Sequence, residues 1–399
     1  MRSIVIATAT LAFSASTALA DMNFSAMIGN DGLSQTEANL AAQPSLSPSD
    51  QFALGGVRFL TAVERALQLR YSVGMDPDYA EMSGLPFLRL PIAENPNPEP
   101  FHPAVIEELF IAALADLDGA LSALDTITIT GDVAVTIKTQ DLWFDINANG
   151  TRESGEGLFE VAGGDLTGNQ MNGADAPIVR FDTADAAWLS AYAHLLSGLS
   201  EAILAVDPTE AISRVLASGP AMDAFRGTRY NGFFTGDDAK WLDMATMFIH
   251  AIEGQPDVTR SRQAHAHFTD MIADNQVFWA RVAHETDNKR EWIPNAAQTS
   301  ALPLPFPPET AERWSAVLGE IEAILQGDLL IPHWRVGQNA GLNLYELMQN
   351  PPEIDIIGII QGETVLPYVE RGQRADGQSI QAFQRLLGGD AAFYALILN

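Results

Sequence analysis

Apolar residues recur at helical spacing along most of the chain, and that period gives way in a few short segments. Val57, Leu60, Val63 and Leu67 follow one another at intervals of three and four, which places their side chains on one face of an α-helix. Ser47-Pro48 supplies an N-cap and a proline at the first helical position, Asp50 sits in the first turn, and Gly74 supplies a stop. Ile106, Phe110, Ala113, Leu117, Leu121 and Leu124 form the clearest helical stripe. Asp182 N-caps a further expected helix carrying Trp188, Tyr192, Leu195, Leu199, Ile203 and Val206 on one face, ended by Pro208. More helices are expected at about 209–218, 237–253 (Trp241, Met244, Phe248, Ile252) and 258–284. Trp314, Val317, Ile321 and Leu325 mark another, with Gly327 just past its end, and a short one lies around 380–387.

The exceptions are equally informative. Residues 21–46 are small and polar with weak periodicity, which predicts an extended leader. Pro77, Pro86, Pro91, Pro96, Pro98 and Pro100 interrupt one long segment, and 294–308 is a second proline-rich loop. Ile127 and Ile129, a Gly131-Asp132 turn, then Val133, Val135 and Ile137 alternate with period two, which predicts a β-hairpin. Short strands are expected at 178–181 and 329–331, and the apolar run 354–360 fits either a strand or a buried helix. No period of about 20 to 50 residues repeats. The pattern predicts a mainly α, multi-helix globular domain over 21–399, with a small β-hairpin and loop insertion at about 126–181.

The first 20 residues differ in kind. Arg2 precedes the apolar run 4–13, and Ala18 and Ala20 end a stretch of small residues, the pattern of a secretory signal peptide cleaved near Ala20. The expected destination is periplasmic or secreted. No later stretch reaches the roughly 18 uninterrupted apolar residues of a membrane span. The chain has no cysteine, which removes disulfides, a lipid-modified cysteine and a thiol nucleophile. Its formal charge of −29 opposes nucleic acid and anionic membrane surfaces.

One segment of the insertion carries chemistry. Residues 145–156 read Asp-Ile-Asn-Ala-Asn-Gly-Thr-Arg-Glu-Ser-Gly-Glu. Asp145, Asn147 and Asn149 take positions 1, 3 and 5 of a twelve-residue calcium loop. Thr151 would offer its backbone carbonyl, Glu153 would act through a water, and Glu156 would close the site with both carboxylate oxygens. Gly150 falls at position 6, where the sharp turn favours a residue without a Cβ. An Asn/Gly surface turn without metal would draw on the same residues. The loop resembles an EF-hand loop, and its Asn-rich form ending Glu-Ser-Gly-Glu is more similar still to calcium loops of bacterial adhesin repeats. Arg152 replaces the apolar residue through which paired EF-hands join, so the resemblance implies one structural site and not a sensor.

Three stretches, 180–188, 284–295 and 329–335, resemble stretches of exported bacterial proteins to which no activity is assigned. That resemblance implies a shared fold and carries no catalytic residue across.

Other chemistry is sparse. No His-Glu-x-x-His, Gly-x-Ser-x-Gly, phosphate-loop or dinucleotide pattern occurs. His265 and His267 differ by about 200° in direction on a helix and would not share one zinc ion. Basic residues number 22, so Arg beside Trp in two proline-flanked segments stands out. Glu285, Asp287, Arg290 and Trp292 with His333, Trp334 and Arg335 are the ligand-binding candidates, for a small anionic or carbohydrate-like ligand; loop packing is the competing account. Two functions follow: an exported soluble calcium-binding protein with structural calcium, or a periplasmic hydrolase with a cleft formed by 285–292 and 333–335.

Overall fold

The computed structural model describes residues 23–75, 90–128, 131–163, 176–225 and 237–399. The expected signal peptide, Pro77, Pro86, Ile129 and most of the Gly/Asn-rich segment after Gly163 lie outside the described residues.

The architecture is mainly α. Helix α1 spans Phe24–Ala41, α2 Pro48–Val73 and α3 Ala104–Leu124. Strand β1 (Val135–Lys138), the one-turn helix α4 (Leu158–Val161) and strand β2 (Ile178–Phe181) make up the insertion. Then come α5 (Thr183–Val206), α6 (Thr209–Asp223), α7 (Asp237–Ile252), α8 (Val258–Val282) and α9 (Thr310–Leu325). The C-terminal part holds β3 (Ala340–Leu342), α10 (Leu344–Gln349), α11 (Ile356–Gln361), β4 (Val369–Arg371), α12 (Gln378–Leu387) and α13 (Ala391–Leu398).

Helix α2 forms as its sequence directs. Ser47 and Asp50 make a reciprocal capping box, and Gly74 ends the helix in the left-handed conformation at φ 57°. Helix α1 corrects the expected extended leader. Gly32 breaks it at φ 75°, so its buried residues Phe24, Ile28, Leu33 and Leu40 do not keep one continuous period. The kink brings the backbone against Trp143, whose ring would lie 3.1 Å from a Cβ at Gly32.

The hairpin expectation is also corrected. Strand β1 pairs antiparallel with β2, Val135 opposite Phe181 and Ile137 opposite Val179. Ile127 instead turns off the end of α3, its N–H donating to Leu124 O at 2.9 Å. Thr183 holds the 131–133 turn from the far side, accepting from Val133 N–H and donating to Gly131 O. The β1–β2 pair thus forms the base that the described residues 139–163 follow.

Helix α5 lies between α3 and α8. Ala187 and Ala191 join the core shared with Phe278 and Trp314, while Ala193 packs with Leu117 and Leu121 of α3. Its small residues allow close approach: a Cβ at Gly198 would fall 2.6 Å from the Phe268 ring. The expected apolar face is therefore only partly the buried one, and Leu199 is exposed. By length and composition α5 is long and apolar enough to cross a membrane, yet it buries Asp185 and Glu201 here. Helix α7 forms where the helical spacing of Trp241, Met244, Phe248 and Ile252 places it, and turns Trp241 and Phe248 to solvent, 63% and 65% exposed. The apolar run at 354–360 is largely helix α11.

Candidate metal centre

The 145–156 loop is closed at its base by backbone pairing. Phe144 N–H donates to Glu156 O and Leu158 N–H to Leu142 O, each at 2.9 Å. Trp143 bridges to Gly157, and its indole N–H reaches Ile28 O of α1 at 2.8 Å. Phe144 and Ile146 are buried with Ile28, Leu33 and Leu67. The loop is thus seated on α1 and α2, entered from a β-bridge and left through the single turn of α4. It is not flanked by the two long helices of an EF-hand.

Inside, the chain winds around its first carboxylate. Asp145 accepts the backbone N–H of Asn149 at 2.9 Å and of Gly150 at 2.8 Å, and Gly150 adopts φ 74°. The Asn147 and Asn149 side-chain oxygens accept the N–H groups of Asn149 and Thr151, and both amides donate to Glu153. Glu156 folds back under the loop at 4% exposure, accepting from Ile146 N–H and Glu153 N–H. Burial raises its carboxyl above the ordinary value.

Glu64 of α2 was not foreseen. It accepts Asp145 N–H at 2.7 Å, and Gln68 one turn on donates to Asp145 O at 2.8 Å. Burial pushes the Glu64 carboxyl up to about 7, the charges of Asp145 and Glu156 adding to the effect and the Asp145 N–H opposing it. Its period-three position within the α2 stripe marks it only as facing inward.

The segment 285–292 packs against the start of α5. Carboxylate oxygens of Asp182, Glu285 and Glu291 lie within 4.8 Å of one another. Burial first, then Asp182, raises the Glu285 carboxyl to about 7, and the buried Asp185 beside them is raised well above its ordinary value. Gln298 donates to Glu285 Oε2 and to Asp287 O, while Arg180 stands 3.9 Å from Asp287. Arg290, at φ 68°, accepts Arg180 N–H on its carbonyl. Trp292 meets Trp188 edge-on at 5.5 Å and Phe181 at 6.0 Å. Asp182, read from the sequence as an N-cap, does cap α5 and joins this cluster as well; Glu291 is the other member that sequence reasoning passed over.

Residues 333–335 have different neighbours. His333 contacts Ile359 O at 3.1 Å, and Trp334 N–H donates to Ile360 O at 2.7 Å. The Arg335 guanidinium lies 4.6 Å over the Trp334 ring, which is 70% exposed. Among the described residues no hydrogen bond, ion pair or ring contact joins 333–335 to 285–292. His265 and His267 do point apart, His265 to Leu325 O and His267 to His194.

No protein family, curated protein or solved structure matches the chain.

Proposed function

We propose that the chain is an exported, soluble calcium-binding protein in which one ion, held by residues 145–156, is structural. Asp145, Asn147, Asn149, the Thr151 carbonyl and Glu156 would hold it, with Glu153 acting through a water. Oxygen-only donors of this mix suit a hard divalent cation of flexible coordination, and suit magnesium less because it demands tighter octahedral geometry.

The observation that carries the proposal is charge without a counter-charge. Burial, with the charge of Asp145 adding to it, raises the Glu64 and Glu156 carboxyls, Arg65 opposing at Glu64, and no lysine or arginine among the described residues forms an ion pair with Glu64, Asp145 or Glu156. Among the described residues, Thr151 O, at the position of the expected backbone ligand, accepts no hydrogen bond. A divalent ion would supply the missing charge and fix a loop otherwise tied by its own amides.

Calorimetric titration of chelator-treated protein tests this. One calcium site is expected, with a dissociation constant on the order of 10⁻⁴ to 10⁻³ M, toward the extracellular range of such loops, and weakened by Asn147→Ala or Asn149→Ala. Heats that are absent, or unchanged in both variants, would refute the site. Export is tested by mass spectrometry of the expressed protein, where a mature chain beginning at Asp21 is expected and one retaining Met1 would count against it.

A further inference from the structure

We propose that the groove between α9 and α12 binds a small oxyanion-bearing, hydroxylated molecule, a sugar phosphate or a sugar acid, through Arg313 and Arg385. The open groove has a volume of about 570 Å³ and is lined by both arginines together with Ala316, Gln378, Ser379, Gln381 and Ala382. Beneath it Trp314 and Phe383, the sequence neighbours of the lining residues, are buried with their rings tilted against each other at 5.2 Å.

The chain has 51 acidic residues against 22 basic ones, and its arginines are mostly engaged. Arg58, Arg65, Arg180, Arg214 and Arg260 each pair with a carboxylate. Arg313 and Arg385 have neither a carboxylate nor a hydrogen-bond acceptor as a side-chain partner among the described residues, and both line this groove. Glu320, an acid of α9 beside the start of α12, is already occupied by Gly377 N–H and the Ser379 hydroxyl. It therefore holds the start of α12 in place and leaves the guanidinium groups free.

A guanidinium presents a planar fork of donors that fits carboxylate or phosphate oxygens in pairs. Gln378 and Gln381 add amides that both donate and accept, as ligand hydroxyls require. Ala316 and Ala382 keep the groove open between them. In a chain of net charge −29 an anion needs local cationic groups to offset the general repulsion.

The test is ligand-observed NMR and thermal shift with glucose 6-phosphate, glucuronate and glucose, probes chosen because they chelate calcium weakly. Binding of at least one anionic probe is expected, with glucose silent, and the stronger of the two identifies the oxyanion. Arg313→Gln and Arg385→Gln should each weaken binding at least tenfold, as loss of a charge-assisted hydrogen bond implies. Both exposed, unpartnered arginines should leave the unliganded melting temperature unchanged. Arg290→Gln, which removes an equally unpartnered arginine elsewhere, should bind as wild type does. Silence of both anions, or equal binding by wild type and the Arg313→Gln/Arg385→Gln double variant, would overturn the proposal.

Discussion

His194 of α5 and His267 of α8 face each other with their Nδ1 atoms 2.9 Å apart. At that distance one nitrogen donates and the other accepts, so the contact fails once both carry a proton. Asp274 stands behind His194, 3.9 Å from Nε2, and accepts the Ser190 hydroxyl. Asp270 on α8, Asp118 within α3, Asp125 at its C-terminal cap, and Glu201, held by Arg260, are further charged neighbours. Glu201, Asp270 and Asp118 oppose the lowering of the His267 pKa without cancelling it, and the short contact admits no proton on both facing nitrogens.

Burial, and then the charge of His194, lower the His267 pKa below 6.5. A histidine held neutral by the fold contributes stability that is present above its unfolded pKa and declines as pH falls below it. The melting temperature should therefore drop between pH 7 and 5, and drop less in His267→Gln. An equal drop in both proteins would show that the pair does not titrate as a unit.

Glu285 acts with the opposite sign. Its folded pKa of about 7 lies above the ordinary 4.5, so its contribution is fully present below pH 4.5 and is lost as pH rises through 7. Glu285→Gln should stabilise the protein at pH 8 by on the order of 1 kcal/mol, after allowance for solvent screening, and not at pH 4. Urea denaturation at the two pH values measures the difference, and a variant less stable than wild type at pH 8 would contradict the assignment.

The closeness of α5 and α8 depends on Gly198, where any side chain meets the Phe268 ring. Gly198→Val should cost about 1–3 kcal/mol, as overpacking of a close interface does. A variant as stable as wild type in chemical denaturation would mean that Phe268 moves aside freely.

Much of this was legible in the sequence, for identifiable reasons. Ser47, Asp50 and Gly74 bound α2 through local hydrogen bonds and backbone conformation, which depend on neighbours in sequence. The turn at 145–151 follows from Asp145, Asn147, Asn149 and Gly150, whose side chains and backbone bond to near neighbours in sequence. What was hidden depended on distant partners. Nothing near Val135 names β2 as its partner, the Gly32 kink scrambles the period of α1, and Glu64 joins the loop across 81 residues. Asp182 carried an adequate local explanation as a cap, which concealed its approach to Glu285 and Glu291. Arg313 and Arg385 lie on helices 72 positions apart, and only the packing of α9 on α12 brings them to one groove.

The most direct test of structural calcium is the melting temperature of chelator-treated protein as calcium is restored. An ion that binds only the folded state stabilises it by about 2.7 kcal/mol when present at about 100 times its dissociation constant. Calcium at that excess should raise the melting temperature of wild type by several degrees, magnesium much less, and Glu156→Ala should lose most of the rise. A wild-type melting temperature unmoved by calcium, or raised equally in Glu156→Ala, would contradict the account.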